Sequence, residues 1–211
     1  VNKYYPHLCD GGYRFGNRYQ KCWGVHGNLN VVNALRLSCD VYFYQAGLEI
    51  DMERINEFGR RFGLGEEVLG IDIPGERRGW LPDSASFNKR NKRSGWRWAR
   101  GLILNLSIGQ GQLVTPLQQA VLVGSLATNA GVYKPHLMKE LRDRSGKVIK
   151  KFEPEIIRSG QMKESTHKVI LAGLDSVVNH PGGTGKRGAV KGIRVGGKTG
   201  SGEWKKGKKT H

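Results

Sequence analysis

Apolar residues in the first half of the chain recur at the spacing of an amphipathic helix. Within Asn30–Ile50 they can share one face, which predicts a helical region there. Asp51 is placed to cap a second helix, and Gly63 follows its last apolar position. Residues 63–101 carry frequent turn signals and are predicted to be rich in loops. The inward positions of the two helices are Val31, Leu35, Val41, Leu48, Ile55, Phe58 and Phe62.

The strongest local helix signal lies further along the chain. Thr115 is predicted to cap a helix with Pro116 in its first turn, Gln118 closing a capping box, and an end near Ala127. Apolar spacing predicts another helix over residues 165–178.

Strand signals come mostly late in the chain. Leu137–Arg142 and Lys147–Phe152 are predicted to form a hairpin about Ser145-Gly146, and residues 193–199 a short closing strand. Residues 1–28 are predicted to be irregular. Two blocks of helices with strands late in the chain indicate a mixed α/β (α+β) domain.

Composition adds size and charge to this picture. The chain has 211 residues, 37% of them hydrophobic, which is enough for a sizeable core. Its 35 basic and 18 acidic residues give a net charge of +17, which suits either an anionic partner or a solvated basic surface. No signal peptide or apolar run of transmembrane length is visible. Val1 is not an initiator methionine and His211 follows a lysine run, so both ends are interpreted as cut.

Glycines near the end of the chain frame a lysine beside a hydroxyl. After the predicted strand, Lys198 and Thr199 could hold the carboxylate of an extended peptide that pairs with the open backbone. Gly192-x-x-x-x-Gly197-Lys198-Thr199 also matches a phosphate-binding loop. The glycines after Thr199 disfavour the helix which that loop requires. A plain glycine-rich turn is the third interpretation.

A serine and a carboxylate two positions apart form a second motif, Ser38-Cys39-Asp40. In this order with Lys198-Thr199-Gly200, the third active-site motif of penicillin-binding enzymes, it resembles the transpeptidase domain of a class B penicillin-binding protein. Other segments resemble the penicillin-binding protein 2 group, the transpeptidases of rod-shape elongation. These segments are Asn28–Asn30, Phe62–Gly65, Gly70–Glu76, Ser107–Gln112 and Thr115–Gln118.

The first motif of that family, Ser-x-x-Lys with the acylating serine, does not occur before Ser38. Ser86-Phe87-Asn88-Lys89 fits the letters but is interpreted as a polar loop, and Ser165-Thr166-His167-Lys168 as a helix cap with a solvated lysine. The resemblance therefore implies an acylating serine upstream of Val1. It also implies a β-lactamase-like transpeptidase fold, of which residues 1–211 form a part truncated at both ends.

The resemblance implies a role for each residue of the two motifs. Ser38 would relay a proton to the leaving amine, and Asp40 would help to hold Ser38 in place. Lys198 and Thr199 would bind the terminal carboxylate of the substrate, and Ser201 would offer a backbone N–H to the oxyanion. The implied catalytic residues are Ser38, Asp40 and Lys198, and the implied substrate-binding residues are Thr199, Gly200 and Ser201.

Three cysteines and a histidine form a candidate metal site within residues 1–40. Cys9, Cys22, His26 and Cys39 are spaced as Cys-x12-Cys-x3-His-x12-Cys, and three thiolates with one imidazole can complete a closed tetrahedral Zn²⁺ site. Such an ion would order this irregular segment. The alternative is a Cys9–Cys22 disulfide, which leaves Cys39 free and His26 without a role. The resembled group includes proteins that hold zinc around a histidine and the motif cysteine.

The predicted function follows from the resemblance. It implies a peptidoglycan D,D-transpeptidase that cross-links stem peptides, binds β-lactams and acts on the periplasmic side of the bacterial inner membrane. Its implied partners are a membrane glycan polymerase and scaffold proteins of the elongation machinery, with no nucleic acid. The alternative, drawn from the cysteines and the net charge, is a basic zinc module that binds nucleic acid. The scattered placement of the basic residues disfavours that alternative.

Overall fold

The computed structural model describes residues 3–200, in which helices dominate and strands are short. None of the helices in this range is long and apolar enough to cross a membrane. The α-helices are α1 (Val31–Leu37), α2 (Asp40–Ile50), α3 (Met52–Arg61), α4 (Ser84–Arg90), α5 (Leu102–Ser107), α6 (Pro116–Thr128) and α7 (Glu164–Asn179), with 3₁₀ turns at Lys92–Ser94 and Lys186–Gly188.

The strands form three antiparallel pairs within the described residues. The pairs are β1 (Gly12–Phe15) with β2 (Arg18–Lys21), β3 (Val132–Tyr133) with β6 (Ile156–Arg158), and β4 (Glu140–Arg142) with β5 (Val148–Lys151). The mixture of helix and strand confirms the predicted fold class. The β4–β5 pair confirms the predicted late hairpin.

The chain divides into two compact units, and the first comprises Val1–Phe43 and Val169–His211. A Cβ at Gly173 of α7 would lie 2.4 Å from Leu35 Cδ1 of α1, so a larger residue there would displace the Leu35 side chain. The buried cluster of this unit surrounds the cysteines and contains Cys9, Cys22, Leu29, Ala34, Cys39, Val41 and Tyr42.

The second unit comprises Tyr44–Lys168. Two buried amides tie its loops to its helices: Asn56 Nδ2 donates to Pro82 O at 2.7 Å, and Gln118 Nε2 donates to Gly65 O at 2.9 Å. A buried amide left unpaired costs about 1–3 kcal/mol, so these bonds specify the loop positions. The buried apolar cluster consists of Met52, Ile103 and Leu106.

The predicted helix starts are confirmed by their hydrogen bonds. Gln118 N donates to Thr115 Oγ1 at 3.1 Å and Thr115 N donates to Gln118 Oε1 at 3.2 Å, which is the capping box expected before α6. Asp51 accepts from Met52 N at 2.6 Å and begins α3, which ends before the left-handed Gly63. The last predicted helix is α7.

The region predicted as helical over Asn30–Ile50 consists of two helices rather than one. Ser38 adopts a left-handed conformation with φ 49° and ψ 49° and ends α1, and α2 begins two residues later at Asp40. The apolar spacing did not reveal this break because both helices bury residues at compatible spacings.

The prediction that residues 1–28 are irregular was wrong. They contain the β1–β2 hairpin, in which Tyr13 lies opposite Gln20, and a backbone bridge between Cys9 and Gly27. The strands were missed because β2 is almost wholly polar and exposed, so it carries no apolar alternation.

Two assignments in the second unit also need correction. Ser86 lies in α4 rather than in a loop, and it forms a capping box in which Ser86 N donates to Asp83 Oδ1 at 2.6 Å. Phe58 was predicted to face inward but is 48% exposed, whereas Asn56 of the same helix is buried. A polar residue took the inward position because it has a backbone partner to satisfy it.

Residues 193–199 were predicted to be a strand, but no strand is present in this stretch of the described chain. Its backbone is held by α7 instead. Asn179 Nδ2 donates to Val195 O at 2.9 Å, and Gly197 N donates to Leu174 O at 3.1 Å. Residues 193–199 therefore lie along α7 and are held by hydrogen bonds to that helix instead of to a neighbouring strand.

Candidate active site and metal site

Ser38 occupies a turn that fixes its hydroxyl at the end of α1. Its backbone N–H points back to the carbonyls of Ala34 and Leu35, as in a helix C-cap. Trp23 holds the other side of the turn, since its Nε1 lies 2.9 Å from Leu37 O and 3.0 Å from Ser38 O. The backbone of the Ser38 turn is thus held from both directions.

The structure brings Lys198 and Thr199 to Ser38, although 160 positions separate Lys198 from Ser38. Lys198 Nζ donates to Ser38 Oγ at 2.5 Å and to Thr199 O at 2.9 Å. Thr199 Oγ1 lies 3.2 Å from Ser38 Oγ. An ammonium and two hydroxyls therefore converge, which suits both proton transfer through Ser38 and binding of a carboxylate.

Thr184 is a site residue that the sequence analysis missed. Its Oγ1 lies 3.0 Å from Thr199 Oγ1 and 3.5 Å from Ser38 Oγ, and it donates to Arg36 O at 3.2 Å. The available signal was the glycine cluster around it. A Cβ at Gly183 would lie 2.3 Å from a backbone oxygen of α7, so the loop can approach that helix only with glycine there.

A cavity of about 570 Å³ opens beside these hydroxyls, within the range of roughly 300–1,000 Å³ typical of ligand sites. Three of its lining side chains, Lys186, Arg187 and Lys198, are basic, so it suits an anionic group. The cavity is lined by Val177, Val178, Thr184, Gly185, Lys186, Arg187, Gly188, Val195, Gly197, Lys198 and Thr199.

Burial and neighbouring charge change the acidity of two site residues. Burial lowers the pKa of Lys198 from its ordinary value of 10.5, and the charge of Asp40 opposes that shift. Burial, followed by the charge of Cys22, raises the pKa of Asp40 from 3.8 to about 6. Among the described residues, Asp40 forms no hydrogen bond to Ser38. Its carboxyl group interacts electrostatically with Lys198 and with the cysteine cluster.

The end of the third motif is open. Gly200 is exposed, and a Cβ there would meet nothing within 4 Å, so its backbone is accessible to a ligand. Ser201 lies outside the described residues, and its role remains a prediction. No helix begins at Lys198 in the described part of the chain, which disfavours the phosphate-binding loop.

The four predicted metal ligands converge in the first unit. The ligand atoms of Cys9, Cys22, His26 and Cys39 all lie within 4.8 Å of one another. His26 Nδ1 lies 3.4 Å from Cys9 Sγ and 3.5 Å from Cys22 Sγ. Tetrahedral Zn²⁺, with bonds of about 2.3 Å to sulfur and 2.0 Å to nitrogen, separates such atoms by about 3.5 Å, so the residues fit the ion.

The thiols of this cluster are buried and unbridged. All three cysteines lie in the described part of the chain, and none forms a disulfide. A hydrogen bond from the Cys39 thiol lowers the pKa of Cys22 from 9.0 to about 4, and the same bond raises the pKa of Cys39. A thiolate is therefore favoured at Cys22, and thiolates are the form that binds metal.

Two short connections link the cysteine cluster to the serine turn. Cys39 is adjacent to Ser38 in sequence, and the Trp23 ring lies 4.9 Å from the His26 ring while its N–H contacts the turn. Trp23 therefore contacts both His26 and the Ser38 turn. A structural change at the cysteine cluster can shift the Ser38 hydroxyl through this contact.

Comparison with known proteins identifies relatives of this chain. Residues 5–211 match the penicillin binding protein transpeptidase domain family. Stage V sporulation protein D of Bacillus subtilis is 31% identical over 183 residues, 86% of this chain and 26% of its own. Peptidoglycan D,D-transpeptidase MrdA of Escherichia coli K12 is 32% identical over 165 residues, 78% of this chain and 25% of its own.

Solved structures agree with these sequence relatives. Helicobacter pylori PBP2 in complex with MreC gives a TM-score of 0.68 at 31% identity, covering 87% of this chain and 32% of that one. A structure of a peptidoglycan synthase complex that coordinates polymerization and crosslinking gives a TM-score of 0.72 at 27% identity, with coverages of 95% and 32%. The nucleic-acid alternative gains no support from these relatives.

The chain spans about a quarter of the length of the curated relatives that it matches. The family match nevertheless extends over nearly all of its residues and includes both motifs that converge on Ser38. The chain therefore belongs to the penicillin-binding protein transpeptidase family, among members of the PBP2 type.

Proposed function

We propose that this chain forms part of a peptidoglycan D,D-transpeptidase of cell-wall elongation. The observation that supports this function best is the convergence of Ser38, Lys198 and Thr199 at a basic cavity. The relatives named as D,D-transpeptidases support the same chemistry.

The reaction is an acyl transfer between two stem peptides. A serine outside residues 1–211 attacks the D-alanyl-D-alanine bond, the terminal D-alanine leaves, and the amine of a second stem peptide takes the acyl group. Within this chain, Ser38 Oγ passes a proton toward the leaving amine, and Lys198 supplies the adjacent charge at 2.5 Å. Lys198 and Thr199 hold the substrate carboxylate, and Thr184 orients the Thr199 hydroxyl at 3.0 Å.

Zn²⁺ is the proposed structural cofactor, held by Cys9, Cys22, His26 and Cys39. The ion would supply a closed cross-link between segments that are distant in sequence and would take no part in acyl transfer. The support is the convergence of four soft ligand atoms within 4.8 Å. His26 Nδ1, 3.4 Å from Cys9 Sγ, is the ring nitrogen that faces the thiols, and Nε2 is buried without a partner among the described residues.

The proposed location is the periplasmic face of the bacterial inner membrane. The proposed partners are β-lactams as inhibitors, a membrane glycan polymerase, and scaffold proteins of the MreC kind. Similar proteins occur in structures with MreC and in a peptidoglycan synthase complex, which supports these partners.

Penicillin acylation of the full-length protein tests this function. A labelled penicillin should form one adduct, mapped by mass spectrometry to a serine outside residues 1–211. Lys198→Ala should lower acylation by an amount equivalent to roughly 2–5 kcal/mol, because the penicillin carboxylate loses its charged partner.

Lys191→Ala is the matched control, since it removes an exposed lysine of the same unit that does not line the cavity. Acylation should be unchanged in this variant. An adduct on Ser38, Ser86 or Ser165, or an equal loss in both variants, would contradict the proposal.

A further inference from the structure

A second cavity, of about 250 Å³, lies wholly within the unit Tyr44–Lys168. Three tryptophans and a phenylalanine dominate its walls, and Trp96 remains 61% exposed at its opening. The volume falls just below the range of about 300–1,000 Å³ that is usual for whole small ligands, so the cavity suits one unit of a longer molecule. Its lining residues are Trp80, Pro82, Phe87, Arg90, Asn91, Trp96, Trp98, Leu102, Asn105, Leu106, Gln110 and Gly111.

The aromatic walls are held in place by specific contacts. The Phe87 and Trp98 rings meet edge to face with centroids 5.7 Å apart, and Trp98 N donates to Asn88 Oδ1 at 2.6 Å. The Arg90 guanidinium lies 4.6 Å from the centre of the Trp80 ring. A site organised in this way loses little conformational entropy when a ligand binds.

Two amide side chains line the cavity without a protein partner. Asn105 and Gln110 are both partly buried, and neither side chain forms a hydrogen bond to another described residue. Each amide offers a carbonyl acceptor and two N–H donors. A ligand that carries amide or hydroxyl groups can satisfy them.

The surrounding segment is strongly basic. Six lysines and arginines fall within residues 89–100, and no acidic residue occurs between Asp83 and Glu140. Of the six, Arg90 lines the cavity and could pair with a carboxylate at its edge. The site therefore combines flat apolar faces, free amides and a positive rim.

We propose that this cavity binds a sugar unit of an anionic, N-acetylated glycan strand. The apolar face of a pyranose packs on an indole ring, an acetamido group pairs with the free amides, and the free lactyl carboxylate of a unit without a stem peptide pairs with Arg90. This inference rests on the proposed function, because other units of the same strand carry the stem peptides. It adds a binding site for the polymer itself, apart from the residues that bind the peptide end.

Glycan binding by the full-length protein is the test, with a peptide-free tetrasaccharide of alternating N-acetylglucosamine and N-acetylmuramic acid as the probe. Trp96→Ala should weaken binding roughly tenfold in calorimetry, because the exposed stacking face is lost. Phe58→Ala is the matched control: Phe58 is a 48% exposed aromatic beside Arg61 in the same unit and does not line the cavity. Equal affinity in the wild type and Trp96→Ala overturns the proposal.

Comparing charged and uncharged probes distinguishes binding in the cavity from nonspecific attraction of an anionic probe to the basic segment. Arg90→Gln should weaken binding of this probe more than binding of uncharged tetra-N-acetylchitotetraose, whereas Arg93→Gln should affect neither. Equal losses in the two arginine variants overturn the proposal. So does tighter, Trp96-dependent binding of a single-stranded oligonucleotide or of phosphatidylglycerol vesicles. Wild-type protein that binds glycan but is not acylated by penicillin would support this site and contradict the proposed function alone.

Discussion

Ser38 both ends helix α1 and carries the hydroxyl that contacts Lys198. Its left-handed conformation, φ 49°, is the one that glycine adopts most readily at the end of a helix. A residue with a Cβ pays about 1–2 kcal/mol for that conformation. A serine at this position is explained by its hydroxyl, which lies 2.5 Å from Lys198 Nζ.

Two substitutions should separate these contributions. Ser38→Gly should be more stable than Ser38→Ala by about 1 kcal/mol in urea denaturation, because both lack the hydroxyl but only glycine relieves the backbone. Both variants of the full-length protein should lose most of their transpeptidation. Equal stability would show that the turn imposes no strain on an L-residue.

The buried environment of Lys198 predicts a shifted pH profile. Because burial lowers the pKa of Lys198 from 10.5, its ammonium is lost on raising the pH earlier than that of an exposed lysine. Penicillin acylation should therefore decline on the alkaline side below that value. Lys198→Arg should move this decline to higher pH, since arginine keeps its charge. An unchanged alkaline limb in this variant would assign the decline to another group, and Lys191→Arg serves as the control.

At the scale of elements, helices with local chemical signals were predictable and others were not. The capping box at Thr115 predicted α6 because its partners lie three residues apart. The break at Ser38 was not predictable from apolar spacing, because the contact with Trp23 that holds the turn spans 15 positions. The motif residues could be identified from sequence, but Thr184 could not, since its place depends on α7 and a glycine loop.

The segment around the cysteine cluster should depend on metal. We expect purified, reduced full-length protein to carry about one Zn²⁺ per chain, and chelation to lower both its melting temperature and its penicillin acylation. His26→Ala should do the same, because it removes a proposed ligand and a ring that lies 4.9 Å from Trp23, which contacts the Ser38 turn. Measurements are metal analysis, thermal melting and acylation rate.

His7→Ala is the control for that experiment, since His7 is exposed in the same segment and lies outside the ligand cluster. It should keep its metal and its acylation rate. Reduced, folded wild type without metal would contradict the zinc proposal. Lost metal with unchanged acylation would show that the cluster and the serine turn are independent.

At the scale of the whole molecule, the net charge of +17 includes basic side chains that line two different cavities. Lys186 and Arg187 line the cavity beside Lys198, and Arg90 lines the aromatic cavity of the other unit. The net charge predicted an anionic partner without identifying it. The placement of individual side chains is what assigns the two proposed ligands, a peptide carboxylate and a glycan carboxylate, to different cavities.

The order of the proposed Zn²⁺ ligands along the chain bears on how that site would assemble during synthesis. A chain emerging N-terminus first presents Cys9 and Cys22 before Cys39, and the β1–β2 hairpin between them brings the first two together. In an oxidising compartment those two thiols can be joined before the third arrives, which would remove two ligands from the site. The proposed zinc site would then assemble only in chains whose thiols bind metal before they are oxidised. We therefore expect the metal content of the purified protein to fall when the cells that make it are short of zinc or exposed to oxidant.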